Sequence, residues 1–247
     1  SGGFAHGINQ APVTRWFDTN TFYRRPTLLD QPHFYGTEEH PSHSGDSFFQ
    51  PTFLSPYAFA RLIDRAPGIS QKEADGFVGQ LYDQVLDEVA ERGVQQVLLH
   101  EPLAAYNQID RTERGRLQKL VGRLAANHHA LDVGVYFSFG NASEVIRTFA
   151  DDDRITTLGC DLQKTPYTQL PWLRSQRFLA GLVDGANTLL ADDDGTLFEL
   201  AHVGVITGSP EISLTHTIDL EHVPRSVAAA KIQQIGRLAA KYKEEYE

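Results

Sequence analysis

Six places in this chain put a chemically capable side chain directly after a short apolar run. Asp18 and Asn20 follow Val13, Trp16 and Phe17; His100 and Glu101 end the run from Val94; Ser138 and Asn141 follow Val133 to Phe137. Cys160 and Asp161, then Asp184 and Asn187, then His216 and Asp219 repeat the arrangement further along. Singly, each is explained by solvation or by a cap on the next element. Their recurrence points to several facing one cavity, because in α/β barrels the chemistry gathers at the carboxyl ends of the strands. Glu101, held by Pro102, can serve as acid, base or substrate anchor tuned by His100; the pair can equally satisfy loop backbone. Asp184 to Asn187 reads as a binding group or as a tight turn. Trp16 reads as pocket wall or as core.

Other chemistries find less support. His33, His40 and His43 share one loop but lack helical i,i+4 spacing or cysteine partners, which favours a solvated loop over a zinc site. His128 and His129 suit the partial negative charge of a helix carboxyl end. The sequence has neither a glycine-rich phosphate loop nor a G-x-S-x-G nucleophile elbow.

The elements that must position these residues alternate. Near-continuous apolar runs at Val94 to His100, Val133 to Phe139, Ile155 to Asp161, Phe178 to Val183 and Ile212 to Ile218 predict buried parallel strands. Val13 to Asp18 and Thr52 to Ser55 bring the expected strands to seven. Between them, Ser70 with Glu73, Asp110 with Glu113 and Asn141 with Glu144 predict capping boxes that start amphipathic helices. A last helix near Ser226 to Tyr246 is expected to bury Val227, Ile232, Ile235 and Leu238. Leu28 to Phe49 reads as a long loop, and Ala191 to Thr207 as irregular. This alternation means an open doubly wound sheet or a (β/α)8 barrel, as one domain over residues 1–247.

Composition narrows the classes. Twenty-two basic against 32 acidic residues give a net charge of −10, which disfavours nucleic-acid and anionic-membrane surfaces. The single cysteine, Cys160, excludes an internal disulfide framework and fits a cytoplasmic protein. No apolar run reaches the roughly 18 residues of a membrane span, and no signal peptide opens the chain.

Seven segments, in order, carry a family likeness. They are Arg15-Trp16-Phe17-Asp18-Thr19-Asn20, Phe53-Leu54-Ser55-Pro56-Tyr57-Ala58-Phe59, Leu98-Leu99-His100-Glu101-Pro102-Leu103 and Val135-Tyr136-Phe137-Ser138-Phe139-Gly140. Leu158-Gly159-Cys160-Asp161-Leu162, Leu182-Val183-Asp184-Gly185-Ala186-Asn187 and Leu214-Thr215-His216-Thr217-Ile218-Asp219-Leu220 complete the set. The chain thereby resembles the cobalamin-independent methionine synthase family, most closely its amino-terminal barrel and its single-barrel relatives. The resemblance implies a (β/α)8 TIM-type barrel and methyl transfer from a folate or other donor to homocysteine sulfur, with zinc lowering the thiol pKa. It implies a small-molecule ligand, folate-like or amino-acid-like.

Three departures accompany it. Where the family's zinc ligands are expected, this chain has Tyr136 and Ser138, Asp161 and a position near Thr217, so the zinc the family uses is not matched. His100 replaces the aspartate expected to meet the substrate ammonium. The strand and helix expected before Val13 have no counterpart, so the barrel front is missing or is supplied by another segment or a partner chain. The resulting pocket comprises Trp16, Asp18, Asn20, His100, Glu101, Ser138, Asp161, Asp184, Asn187 and His216. Its alternatives to methyl transfer are a non-catalytic ligand-binding or partner-docking barrel, and a retaining glycosidase using Glu101 with Asp184.

Overall fold

The computed structural model describes residues 12–35 and 50–246. In chain order the elements are β1 (Val13–Arg15), β2 (Phe22–Arg24), β3 (Thr27–Leu28), β4 (Thr52–Leu54), α1 (Pro56–Leu62), β5 (Asp64–Arg65) and α2 (Gln71–Glu91). There follow β6 (Gln96–Glu101), α3 (Pro102–Tyr106), α4 (Arg111–Asn127), β7 (Asp132–Phe137), α5 (Ser143–Phe149) and β8 (Thr157–Asp161). The chain continues through β9 (Arg177–Val183), α6 (Asp193–Thr207), β10 (Ile212–His216) and α7 (Arg225–Tyr246).

The centre is a six-stranded sheet in the order β10-β9-β8-β7-β6-β4, every pair parallel. Its inner strands are apolar on both faces, as parallel strands covered by helices must be: Val97, Leu99, Val133, Val135, Phe137, Leu158, Phe178 and Ala180 are all fully buried. Strand and helix alternate in the manner expected of an α/β barrel. Among the described residues, β4 and β10 form the two edges of this sheet.

The opening segment corrects the expectation of a barrel strand over Val13 to Asp18. β1 pairs antiparallel with β2, with Val13 opposite Arg24 and Arg15 opposite Phe22, and among the described residues joins no other strand. The physical reason is local. Thr19 folds the chain back on itself, donating its hydroxyl to the Trp16 carbonyl at 2.6 Å and accepting from the Thr21 amide at 3.1 Å. The Trp16 amide closes the loop on the Thr21 carbonyl at 2.8 Å. Six of the seven expected strands therefore lie in the central sheet.

One of the three predicted capping boxes forms in full, and a second keeps only its side-chain cap. Ser70 and Glu73 form the reciprocal box that starts α2, and Gly93, with φ +79°, lies just beyond its end. Asp110 accepts from the Glu113 amide at 2.8 Å. Asn141 instead sits one residue outside the α5 cap, accepting from the Ser143 amide at 3.0 Å, and Ala142 occupies the cap.

Two further corrections concern helices. Residues 193–207, expected to be irregular, form α6, capped by Asp192, which accepts from the Gly195 amide at 2.9 Å. On α7, Ile232 faces solvent at 60 % exposure, while Lys231, Gln234 and Leu238 make the buried stripe. Across α1, α2 and α4, Arg61 joins Asp75 at 2.9 Å and Glu113 at 2.8 Å and lies 3.5 Å from the Tyr57 ring centre. Among the described residues, no helix is long and apolar enough to cross a membrane.

Candidate functional site

The carboxyl ends of the parallel strands bring together most of the polar residues expected there, though in different roles. Glu101 ends β6 with no exposed surface. One carboxylate oxygen accepts from the Leu103 and Ala104 amides, each at 2.9 Å, and caps α3; the other is bonded to the Ser55 hydroxyl at the end of β4. Burial pushes its pKa up to about 7 against the opposing pull of these hydrogen bonds. Both oxygens are thus engaged by the protein, and Glu101 welds two strand ends to a helix start.

His100, one residue earlier, turns the other way. Its Nε2 lies 2.6 Å from the Ser138 hydroxyl just beyond β7, and both side chains are buried. Burial lowers the pKa of His100, opposed by the negative charge of Asp219 and reinforced by His216. His216, half-buried at the end of β10, is lowered by burial as well, with Asp219 again opposing. At the strand ends the imidazoles are therefore neutral near pH 7, and Asp219 is a charge felt by both.

Tyr136 spans the sheet. From β7 its ring crosses over Gly159 and Gly181, where an added Cβ would stand 2.9 Å from the ring and 2.0 Å from the hydroxyl. The hydroxyl donates to the His216 and Thr217 carbonyls at 2.9 and 3.0 Å. Close approach here requires glycine on both β8 and β9, the two strands the side chain crosses. Thr217 in turn accepts from the Gly185 amide at 3.0 Å, tying the end of β10 to that of β9. Asp161, at the end of β8, accepts from the Gln163 amide at 2.9 Å, and burial raises its pKa to about 6.

The remaining expected residues are placed further out. Asp184 closes on its own turn, accepting from the Ala186 amide at 2.7 Å and from the Asn187 side chain, while Asn187 accepts from the Leu189 amide at 2.8 Å. Trp16, Asp18 and Asn20 lie at the hairpin tip, Asp18 and Asn20 exposed and Trp16 partly so. Asp18 accepts from the Tyr106 hydroxyl at 3.2 Å and Asn20 from Arg15 at 3.4 Å. His33 is exposed, and His40 and His43 lie outside the described residues.

Several residues near the strand ends escaped sequence reasoning. Phe17 stacks on Phe139, which follows Ser138, with ring centres 4.8 Å apart and planes at 11°. Tyr106 meets the same Phe17 edge-on at 5.1 Å. On the other side of the hairpin, Thr21 is 2.8 Å from Nδ1 of His222, in the single turn after β10. These contacts lay the hairpin tip across the ends of β6, β7 and β10. Lys231, fully buried on α7, donates to the Leu189 carbonyl, and its neighbour Gln234 holds both the amide and the carbonyl of Ala191 at 3.1 and 2.7 Å. Burial lowers the Lys231 pKa, with Asp184 opposing. The only signal for this grip was the spacing of 231, 234 and 238 on one helical face.

Among the described residues, no group of three or more His, Cys, Asp and Glu side chains is placed to hold a metal ion. Tyr136 and Thr217 spend their hydroxyls on backbone groups, and Ser138 is bonded to His100. A cleft of about 630 Å³ lined by Phe34, Gln84, Asp87, Glu88, Glu91 and Arg92 runs along α2 instead; its lining is acidic and separate from the strand ends.

The geometry agrees with what the chain is similar to. Residues 4–207 match the family model described as the cobalamin-independent synthase, N-terminal domain. The chain is 28 % identical over 234 residues to a 5-methyltetrahydropteroyltriglutamate–homocysteine methyltransferase of Caulobacter vibrioides, covering 89 % of this chain and 30 % of that protein. A Saccharophagus degradans protein of the same name is 27 % identical over 237 residues, covering 87 % of this chain and again 30 % of the relative. The chain thus spans about 30 % of the length of these curated relatives. Among solved structures, a B12-independent methionine synthase from Shewanella sp. W3-18-1 superposes with a TM-score of 0.76 at 11 % identity, over 99 % of this chain and 77 % of that one. A Listeria monocytogenes protein described as a putative vitamin-B12 independent methionine synthase gives 0.67 at 12 % identity, over 87 % and 73 %. These structures share the fold. The family model spans most of the chain, and this protein belongs to the cobalamin-independent methionine synthase family through its N-terminal domain.

Proposed function

We propose that this chain is a zinc-free barrel of the amino-terminal type, which binds a methyltetrahydropteroyl polyglutamate at its strand ends while methyl transfer to homocysteine is completed on a zinc-bearing barrel. That second barrel lies elsewhere in a longer protein or in a partner chain. The observation that carries the reading is the chemistry at Tyr136, Ser138, Asp161 and Thr217. Three hydroxyls and one carboxyl, with the hydroxyls already hydrogen-bonded within the protein, do not fit a zinc ion that must turn a thiol into a thiolate.

What these residues do supply is a rigid, largely neutral mouth. Glu101, its pKa raised by burial to about 7, is only partly ionised near neutral pH where it bonds Ser55, and burial disfavours charge on His100 and His216, of which His100 already spends Nε2 on Ser138. The aromatic rings of Phe17, Phe139 and Tyr106 border this polar floor. Such a mixture suits a flat ring edged with amide and amine groups. Homocysteine has no matching anchor, since His100 stands where a carboxylate is expected to meet its ammonium. A sequence with one cysteine, and so without an internal disulfide, suits a cytoplasmic setting.

A retaining glycosidase finds no support here. Its acid and nucleophile must both reach the sugar, whereas Glu101 is buried with both oxygens engaged and Asp184 is closed on its own turn. The deciding assay supplies the purified chain with zinc, homocysteine and 5-methyltetrahydropteroyltriglutamate, beside a two-barrel relative as control. The expected result is no methionine from this chain alone. Zinc-dependent turnover by the isolated chain overturns the reading.

A further inference from the structure

Among the described residues, three other than glycine, Phe17, Gln108 and Phe139, hold a backbone conformation that side chains disfavour, and the rings of Phe17 and Phe139 are stacked on each other. Phe17 has φ +47° and Phe139 has φ +65°. Bulky residues rarely occupy the left-handed region, and such positions persist where surrounding structure over-determines them, often at ligand clamps and switches. Here the two belong to different bodies. Phe139 follows β7 in the central sheet, its ring centre 6.4 Å from that of His100; Phe17 belongs to a hairpin that, among the described residues, pairs with no other strand.

The hairpin tip is held to the strand ends by a short set of side-chain contacts: Phe17 on Phe139 and Tyr106, Asp18 with Tyr106, and Thr21 with His222. Nε2 of His222 is buried without a hydrogen-bond partner beneath this edge. Nearer its base the segment is anchored separately, by Tyr23 to the Leu62 carbonyl at 3.3 Å and by Arg25 to Asp64 at 3.2 Å. An anchored base and a tip held by rings and two polar contacts is the construction of a lid.

We infer that the hairpin from Val13 to Arg24 is a lid, and that the Phe17 ring fills the seat on Phe139 which a flat heteroaromatic ring takes when the lid lifts. The seat has a ring platform on one side and the His100–Ser138 pair beside it, so a ligand ring stacks on Phe139 and exchanges hydrogen bonds with those side chains. The inference rests on the proposed pteridine-binding reading for the class of ligand. It does not rest on it for the competition between Phe17 and that ligand.

The arrangement gives the two phenylalanines opposite roles, which one titration separates. With folic acid as the probe, Phe139→Ala removes the platform and weakens binding by roughly three- to tenfold, the range a stacked ring contributes. Phe17→Ala removes the occupant, relieves the cost of opening and tightens binding by about the same factor. Phe17→Leu, which keeps apolar cover and guards against misfolding, falls between. Binding of folic acid to Phe17→Ala but not to the natural protein also supports the lid. Weakening by both alanine variants, indifference to both, or no binding of folic acid by either protein overturns it. If 5-methyltetrahydropteroyltriglutamate still binds while neither phenylalanine affects folic acid, the lid falls and the proposed function stands.

Discussion

Nε2 of His100 stands 2.6 Å from the hydroxyl of Ser138, across adjacent strands and out of solvent. The pairing joins two positions singled out by the family resemblance: one where it implies a carboxylate that meets substrate, the other where it implies a zinc ligand. In this chain the two side chains satisfy each other. A buried imidazole needs a partner, and the serine supplies one at the distance of a strong hydrogen bond.

Ser138→Ala is accordingly predicted to destabilise the fold by about 1 to 3 kcal/mol, the cost of leaving a buried polar atom unpaired. Urea unfolding monitored by circular dichroism measures it. A variant as stable as the natural protein shows that His100 finds another partner or water.

Glu101 makes stability depend on pH. Its folded pKa of about 7 lies above the ordinary 4.5, so between these values the folded state holds more protons than the unfolded one. Stability from this group is therefore full below about pH 4.5 and falls as pH rises towards 7, by at most about 1.4 kcal/mol per pH unit. His100 and His216, lowered by burial, act in the opposite sense near pH 6.5, and Asp161, raised to about 6, acts in the same sense as Glu101. The contribution of Glu101 is isolated by comparing unfolding free energies of the natural protein and Glu101→Gln from pH 4.5 to 7.5. The natural protein should lose stability relative to the variant as pH rises; parallel curves would contradict the assignment.

How much of this was legible in the sequence depends on the kind of signal each element carries. β6 to β10 were readable because both faces of a covered parallel strand are apolar, and runs such as Val133 to Phe137 are nearly unbroken. α6 was not, because it is apolar all round: Phe198 and Val205 are exposed while Leu197, Leu200 and Val203 are buried, which erases the one-sided period. The hairpin was misread because Thr19 spends its side chain on a turn, and composition cannot distinguish that use from a binding role. Strand ends located the polar groups correctly but could not assign them. Whether Glu101 faces a cavity or its own helix is decided by the backbone after Pro102. The stack of Phe17 on Phe139 depends on two left-handed residues, for which neither phenylalanine gives any warning.

Lys231 is the group least suggested by the sequence. It is buried on α7 and reaches a backbone carbonyl in the loop after β9, a loop that otherwise faces solvent. Burying an ammonium is costly, so Lys231→Met should leave global stability within about 1 kcal/mol of the natural protein or raise it, since buried charges are often replaceable by apolar side chains of similar size. At the same time it releases the loop. Hydrogen exchange followed by mass spectrometry should show faster exchange across residues 184–192 with the sheet unchanged. A loss of several kcal/mol in chemical denaturation, or an unaltered loop, would show that the ammonium is held by more than the Leu189 carbonyl.

Arg61 is the opposite case, a charge whose partners depend on it. Its guanidinium sits between Asp75 and Glu113 and over Tyr57, joining α1, α2 and α4. Arg61→Met leaves two carboxylates close together without their cation and is expected to cost about 3 kcal/mol, the lower end for breaking a buried pair because the carboxylates keep some solvent contact. Thermal unfolding at pH 7 should show a clear drop in midpoint. An unchanged midpoint would mean that water replaces the arginine at no cost.

The central claim is that this barrel recognises a pteroyl polyglutamate through its own strand ends and without zinc. Calorimetric titration of the metal-stripped chain with 5-methyltetrahydropteroyltriglutamate tests it most directly. Saturable binding of one ligand per chain is predicted, with an affinity unchanged when zinc is added back. No binding, or binding that appears only after zinc is restored, would contradict it.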